Sequence, residues 1–201
     1  MSRRSLLLVA GPSGSGKSRL ARLGGVVALP LDEFYFDHDH PHLPRSPFGI
    51  TDWDDVRSWD LGLAVATLRA LVEDGVAEVP RYDISRSERV GSWTLDCADA
   101  TVILAEGVFA PETLPAARQA GVPTRAIWLD RPRATNFSRR LARDLKEKRK
   151  PPTVLLRRGA ALFRDEPRMR KAALEAGFEA MSMRHALRLV RRLAGSNASP
   201  G

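Results

Sequence analysis

Gly11-Pro12-Ser13-Gly14-Ser15-Gly16-Lys17-Ser18 brings three glycines, three hydroxyls and one lysine into eight residues. The spacing G-x-x-x-x-G-K-S suits the holding of a nucleotide's phosphates. The glycines let the backbone turn until several N–H groups face one anion, Lys17 can reach the β- and γ-phosphates, and the Ser18 hydroxyl is offered to Mg²⁺. Gly11, Ser13, Gly14, Ser15, Gly16, Lys17 and Ser18 are therefore the candidate nucleotide-binding residues, and ATP with Mg²⁺ is the expected pair of cofactors. Two carboxylates stand where such a loop needs them. Glu106 closes the apolar run TVILA and is a candidate metal residue beside Ser18. Asp32, in the segment Leu31-Asp32-Glu33-Phe34-Tyr35, follows another apolar run and could accept a proton.

These residues need a scaffold that delivers them to one edge. Residues 5–10, 26–31, 101–105 and 124–129 are short apolar runs, which predict buried strands, with amphipathic stretches between them. The run before the glycine loop predicts a strand, and Lys17–Leu23 predicts the start of a helix whose N-terminal dipole favours an anion. A second helix is expected where Leu61, Ala64, Leu68, Leu71 and Val72 repeat at helical spacing, with Ser58 as its cap and Gly75 as its stop. Residues 77–95 look like irregular strand or loop, and the chain reads as helical from Pro132 onward. The expected fold class is α/β: a P-loop nucleotide-binding fold with a doubly wound parallel sheet flanked by helices, ending in a helical, basic half. A single domain over residues 1–195 is expected, with a frayed tail over 196–201.

Composition narrows the function classes. Cys97 is the only cysteine, so no intrachain disulfide can form; without an export-type leader pattern either, a cytoplasmic location is the expectation. No apolar run approaches the roughly 20 residues of a membrane span. The net charge of +8 is unevenly spread: residues 131–201 hold 19 Lys and Arg against 6 Asp and Glu, residues 1–130 hold 13 against 18. The basic half is open to three readings: a nucleic-acid surface, a phosphate-gripping surface, or solvated helix faces. The lack of an aromatic-interleaved basic stretch argues against nucleic acid. Asp37-His38-Asp39-His40-Pro41-His42 alternates carboxylates with imidazoles but lacks zinc-type spacing, which favours a polar loop.

Several further segments fall in one colinear order: Asp32 to Tyr35, then Asp52-Trp53-Asp54-Asp55 with Ser58-Trp59-Asp60, then Pro80-Arg81-Tyr82-Asp83 with Arg89, then Ala105-Glu106-Gly107. Over residues 5–150 the chain resembles the uridine kinase branch of P-loop kinases, whose relatives include phosphoribulokinase and pantothenate kinase. The resemblance implies that Asp32 is the catalytic base, that Asp54 holds sugar hydroxyls, and that Tyr82 lines the acceptor pocket with Arg89. It also implies a lid over about 133–152, in which Ser138–Lys150 places Arg140 and Arg143 against the transferring phosphoryl group. Two departures matter. Ser87 stands where the family has a base-reading histidine, and Lys148 and Lys150 replace forked arginines. The implied activity is transfer of the γ-phosphoryl group of ATP to a hydroxyl of a small-molecule acceptor, a nucleoside such as uridine or cytidine. The alternatives are another hydroxylated metabolite, such as pantothenate or a sugar phosphate, or a non-catalytic nucleotide-dependent RNA-binding protein.

Overall fold

Strand β1 (Ser5–Ala10) has five residues buried of its six, and their side chains divide by parity. Leu6, Leu8 and Ala10 belong to one apolar cluster and Leu7 and Val9 to another, so the strand must be covered on both faces. The computed structural model describes residues 4–47, 49–131, 136 and 165–195. Within it β1 is the centre of a five-stranded sheet of order β2-β5-β1-β6-β7, in which every adjacent pair is parallel. The flanking strands are β2 (Val27–Pro30), β5 (Val102–Glu106), β6 (Thr124–Asp130) and β7 (Glu179–Ser182). Helix α1 (Lys17–Gly24) and the last helix, α5 (Met183–Gly195), cover the face of Leu7 and Val9 through Leu20, Ala186, Leu189 and Val190. Helices α2 (Leu61–Glu73) and α3 (Ala110–Gln119), with α4 over residues 165–175, cover the other face. Each fully buried leucine in these layers stabilises the fold by about 1.5–3 kcal/mol.

The chain leaves β1 toward β2 on one side of the sheet and later returns toward β6 on the other. Its switch point therefore lies at the C-terminal edge beside β1, where an open parallel sheet leaves a crevice. The loop of Gly11 to Gly16 opens there.

Four sequence expectations are corrected. Ser58 does not cap α2: it is buried in a 3₁₀ turn (Val56–Ser58) and donates its hydroxyl to the Asp55 carbonyl at 2.7 Å. Asp60 is the cap, accepting from the Leu63 N–H at 2.9 Å, and Asp74 closes the helix just before Gly75. Residues 77–95 are not irregular. They form an antiparallel hairpin of β3 (Val76–Asp83) and β4 (Glu88–Asp96), with a register shift between Arg81 and Tyr82. The C-terminal part is not wholly helical either, since β7 adds an edge strand whose short polar sequence carries no apolar run. Strand β2 is shorter than the apolar run predicts, because Leu31 already belongs to a 3₁₀ turn (Leu31–Phe34). Cys97 is buried, and burial pushes its thiol up to about 11, which makes it a packing group. No helix among the described residues is long and apolar enough to cross a membrane.

Asp60 has two tasks, because its second carboxylate oxygen pairs with the Arg89 guanidinium at 3.2 Å and so ties α2 to the hairpin. Asp60→Ala is expected to cost about 1–2 kcal/mol in urea unfolding, since it removes the cap and leaves the half-buried Arg89 with one partner fewer. Asp60→Asn keeps the cap and should lie between wild type and the alanine variant.

Candidate functional site

At the end of β1 the backbone turns through three left-handed glycines, Gly11 (φ 149°), Gly14 (φ 87°) and Gly16 (φ 97°). Space as well as torsion demands glycine at both ends. A Cβ on Gly11 would lie 3.0 Å from Ser15 Oγ and 3.2 Å from the Leu129 carbonyl, and one on Gly16 would lie 3.1 Å from Met183 Cε. The Ser15 N–H closes the turn on the Pro12 carbonyl at 3.1 Å, and Ser15 itself is wholly buried. Helix α1 then begins at Lys17 with no side chain capping it and no acidic residue in its first turn. Its first N–H groups have no intrahelical partner, so the loop presents uncapped donors and a positive dipole end. Lys17 folds back over the loop and donates to the Gly11 carbonyl at 3.0 Å. Uncapped donors, a lysine and a cradle that tolerates no Cβ fit a nucleotide's phosphates.

The carboxylates arrive from the two neighbouring strands. Glu106 is the last residue of β5 and lies in register with Val9 of β1 and Pro30 of β2. Its Oε1 accepts from the Ser18 hydroxyl at 2.5 Å, and its Oε2 lies 3.9 Å from Lys17 Nζ. A serine hydroxyl and a carboxylate so joined are hard oxygen donors, which fit a magnesium ion or its water shell. Asp32 follows β2 in the 3₁₀ turn. One side of it meets solvent, but the protein atoms crowding this concave edge strip enough water from the carboxyl to raise it above the usual aspartate range. Lys17 and a hydrogen bond from the Val108 N–H pull the other way, while the charges of Glu106 and Glu33 add to the rise. The approach between the two segments is close: a Cβ on Gly107 would stand 2.6 Å from Leu31 Cβ and 3.4 Å from Asp32 Oδ1.

The hairpin is fastened beside this group through Tyr82 and through side chains to which sequence reasoning gave no role. Glu33 accepts from the Tyr82 N–H at 2.7 Å, at the register shift that frees this donor from the ladder. The Tyr82 hydroxyl donates to the Phe36 carbonyl at 3.3 Å, and burial pushes that phenol up, with Ser87 hydrogen-bonding to it. Tyr35 stands at the centre of an aromatic group, with ring centroids 5.6 Å from Tyr82, 5.8 Å from Trp53 and 5.8 Å from Phe109. Buried Trp59 donates from Nε1 to the Leu31 carbonyl at 2.6 Å, which anchors the turn bearing Asp32.

Lys17, Ser18, Asp32 and Glu106 therefore converge, and Tyr82 joins them through Glu33. Arg89 ties the fold through two of its guanidinium nitrogens: Nε donates to the Tyr35 carbonyl at 3.1 Å, Nη2 donates to the Phe34 carbonyl at 3.4 Å and pairs with Asp60, and the group lies over the Phe36 ring. Ser87 occupies the hairpin turn at φ 55° and accepts from the His38 N–H through its carbonyl. Asp54 is exposed; the capping that could have occupied it falls to Asp55 and Asp60. The loop from Asp37 to His42 is tied down by Asp37 Oδ1, which accepts from the Arg89 N–H at 2.6 Å, and by His40, which stacks on Phe36 at 4.1 Å. Arg140 and Arg143 lie outside the described residues, as does the lid segment apart from Asn136. Glu33, Tyr35, Trp53, Phe109 and Gly107 are the contributors that spacing did not reveal, because an aromatic or a glycine in a loop reads equally well as packing.

Comparison with known proteins bears on this arrangement. Residues 6–151 match the model of the phosphoribulokinase / uridine kinase family. A uridine kinase from Staphylococcus aureus strain JH9 is 30% identical over 154 residues, covering 74% of this chain and 72% of that protein. Among solved structures, a candidate fructose transport system kinase from Silicibacter sp. TM1040 superposes with a TM-score of 0.58 at 19% identity, covering 90% of both chains, a likeness of fold. A phosphate loop backed by two carboxylates, on a parallel sheet and within a matched span of this length, makes the chain a P-loop kinase of the phosphoribulokinase / uridine kinase family.

Proposed function

We propose that this protein transfers the γ-phosphoryl group of ATP to a hydroxyl of a nucleoside of the uridine or cytidine kind, with Asp32 as the general base. The observation that carries the reading is the placement of Asp32: it follows β2 in the 3₁₀ turn beside Gly107, next to the Glu106 that accepts from Ser18 of the phosphate loop, and its carboxyl is raised by these surroundings. A base whose affinity for a proton is raised takes one from an alcohol more readily than an ordinary aspartate does. The uncapped N–H groups of α1 and Lys17 would hold the β- and γ-phosphates, and Ser18 with Glu106 would hold Mg²⁺. When bound, the metal neutralises charge on the phosphate oxygens. Arg140 and Arg143 are proposed, on their sequence pattern, to meet the transferring phosphoryl group. Tyr82 and Asp54 are the proposed acceptor contacts, with Tyr82 beside the aromatic group and Asp54 exposed for sugar hydroxyls. Ser87 is too short to read a base as a histidine would, which favours a second reading: an acceptor that is another hydroxylated metabolite, such as pantothenate or a sugar phosphate.

Three outcomes are expected. Lys17→Ala should lower turnover by roughly 10²-fold or more, because it removes the cation nearest the phosphates; near-normal ATP affinity and rate in steady-state assays would refute the assignment of the loop.

Asp32→Asn should cut kcat by roughly 10²-fold or more in single-turnover assays with saturating ATP and acceptor, while ATP binding stays nearly intact. The same variant should be more stable than wild type. A folded carboxyl raised above 3.8 disfavours ionisation, so its stabilising contribution is complete below the unfolded value and is lost as pH rises through the folded one. The stability gain of the asparagine should therefore be largest near pH 7 and shrink toward pH 4 in urea titrations. A slowdown under about threefold would exclude the base role.

A panel of nucleosides, pantothenate and sugar phosphates incubated with Mg-ATP should show phosphorylation that depends on ribose hydroxyls and discriminates weakly between bases. A pocket rejects analogues strongly only when a buried partner would be left unpaired. Strict selectivity for uridine and cytidine would show that residues other than Ser87 read the base, and phosphorylation of pantothenate or a sugar phosphate alone would establish the second reading.

A further inference from the structure

On the opposite side of the sheet from Asp32, the outer edge formed by β6, β7 and α5 holds a cavity of about 290 Å³ lined by Arg125, Met181, His185, Arg188, Leu189 and Arg192. We propose that this cavity binds the phosphate group of a small phosphorylated molecule, at a place separate from the phosphate loop.

Three observations support the proposal. First, the arginines come from two elements: Arg125 stands near the start of β6, whereas Arg188 and Arg192 fall at i and i+4 on α5 and share one face of the helix with His185. Second, this convergence has little counter-charge. Helix α5 contains no acidic residue, and Arg125 pairs with Glu179 at 3.9 Å, both side chains being well exposed. Like charges spaced i, i+4, as in Arg184 with Arg188 and Arg188 with Arg192, weaken a helix. The dipole at the helix C-terminus compensates only Arg192 in the last turn, so it does not account for Arg188. Third, Met181 and buried Leu189 form an apolar floor, which excludes water from one side and strengthens a charge-assisted hydrogen bond made above it. Forked guanidiniums from two directions match the tetrahedral oxygens of a phosphate monoester.

Inorganic pyrophosphate and ribose 5-phosphate are suitable probes for calorimetry on the full chain without nucleotide. Pyrophosphate should titrate two classes of site, one at the phosphate loop and one here. The double variant Arg188→Gln, Arg192→Gln, which keeps the long polar side chains, should lose one class, with affinity weakened by more than about tenfold. Arg125→Gln should weaken the same class from a different element, which guards against a helix that merely misfolds. Lys17→Ala should remove the other class alone, so failure of this proposal is distinct from failure of the phosphate-loop reading. Tighter binding of ribose 5-phosphate would identify the ligand as a phosphate ester, and tighter binding of pyrophosphate as a free polyphosphate; either supports the site. A single class in wild type, or two undiminished classes in the arginine variants, would overturn it. So would salt-sensitive binding of an RNA oligonucleotide that depends on these arginines while neither small anion does.

Discussion

Lys17 holds the C-terminal edge of this sheet together electrostatically. Glu106, Asp32 and Glu33 bring three carboxylates to one concave edge, and at neutral pH they repel one another wherever water is thin. Lys17 lies 3.9 Å from Glu106 and lowers the proton affinity of Asp32. It is also tethered to the Gly11 carbonyl, so the turn of the glycine loop sets where that positive charge stands. Among the described residues Lys17 offsets part of this carboxylate charge, and a magnesium ion bound with a nucleotide would offset more of it.

The rest of the fold serves that placement. A parallel sheet buried on both faces fixes the ends of β1, β2 and β5 in register, so Ala10, Pro30 and Glu106 finish at one edge. Beyond that edge a short backbone bridge between Tyr35 and Trp59 carries the chain, and side chains reinforce it. Trp59 holds the Leu31 carbonyl, Glu33 holds the Tyr82 N–H, and Arg89 gathers two carbonyls and Asp60. The turn bearing Asp32 is thus fastened from the α2 side and from the hairpin side, which limits the entropy that a reacting carboxylate would otherwise have to lose.

The charge asymmetry of the chain has a structural counterpart on the described residues. The acidic half supplies the carboxylates at the β2 and β5 side of the sheet, and α5 carries four arginines with no acidic residue among them.

Much of this was legible in the residues before any coordinates. The phosphate loop carries its own geometry, because only glycine tolerates the left-handed turns that gather N–H groups, and lysine and serine at fixed spacing follow from the helix that begins there. Four strands were legible because burial on both faces makes each a continuous apolar run. Strand β7 was not, since an edge strand of four residues with polar character leaves no such run, and the hairpin was obscured by Pro80, Gly91 and a register shift. The cap of α2 shows the limit most plainly. Ser58 and Asp60 are both good capping types two residues apart, and only the 3₁₀ turn that buries Ser58 decides between them. The sequence by itself determined which groups could meet a phosphate and that a parallel sheet would carry them. Tertiary structure alone decided that Arg89 would tie α2 to the hairpin, that Glu33 and Tyr35 would bind the hairpin beside Asp32, and that Arg125, Arg188 and Arg192 would line one cavity. These are contacts between distant segments, set by shape and by the removal of water, and local spacing does not encode either.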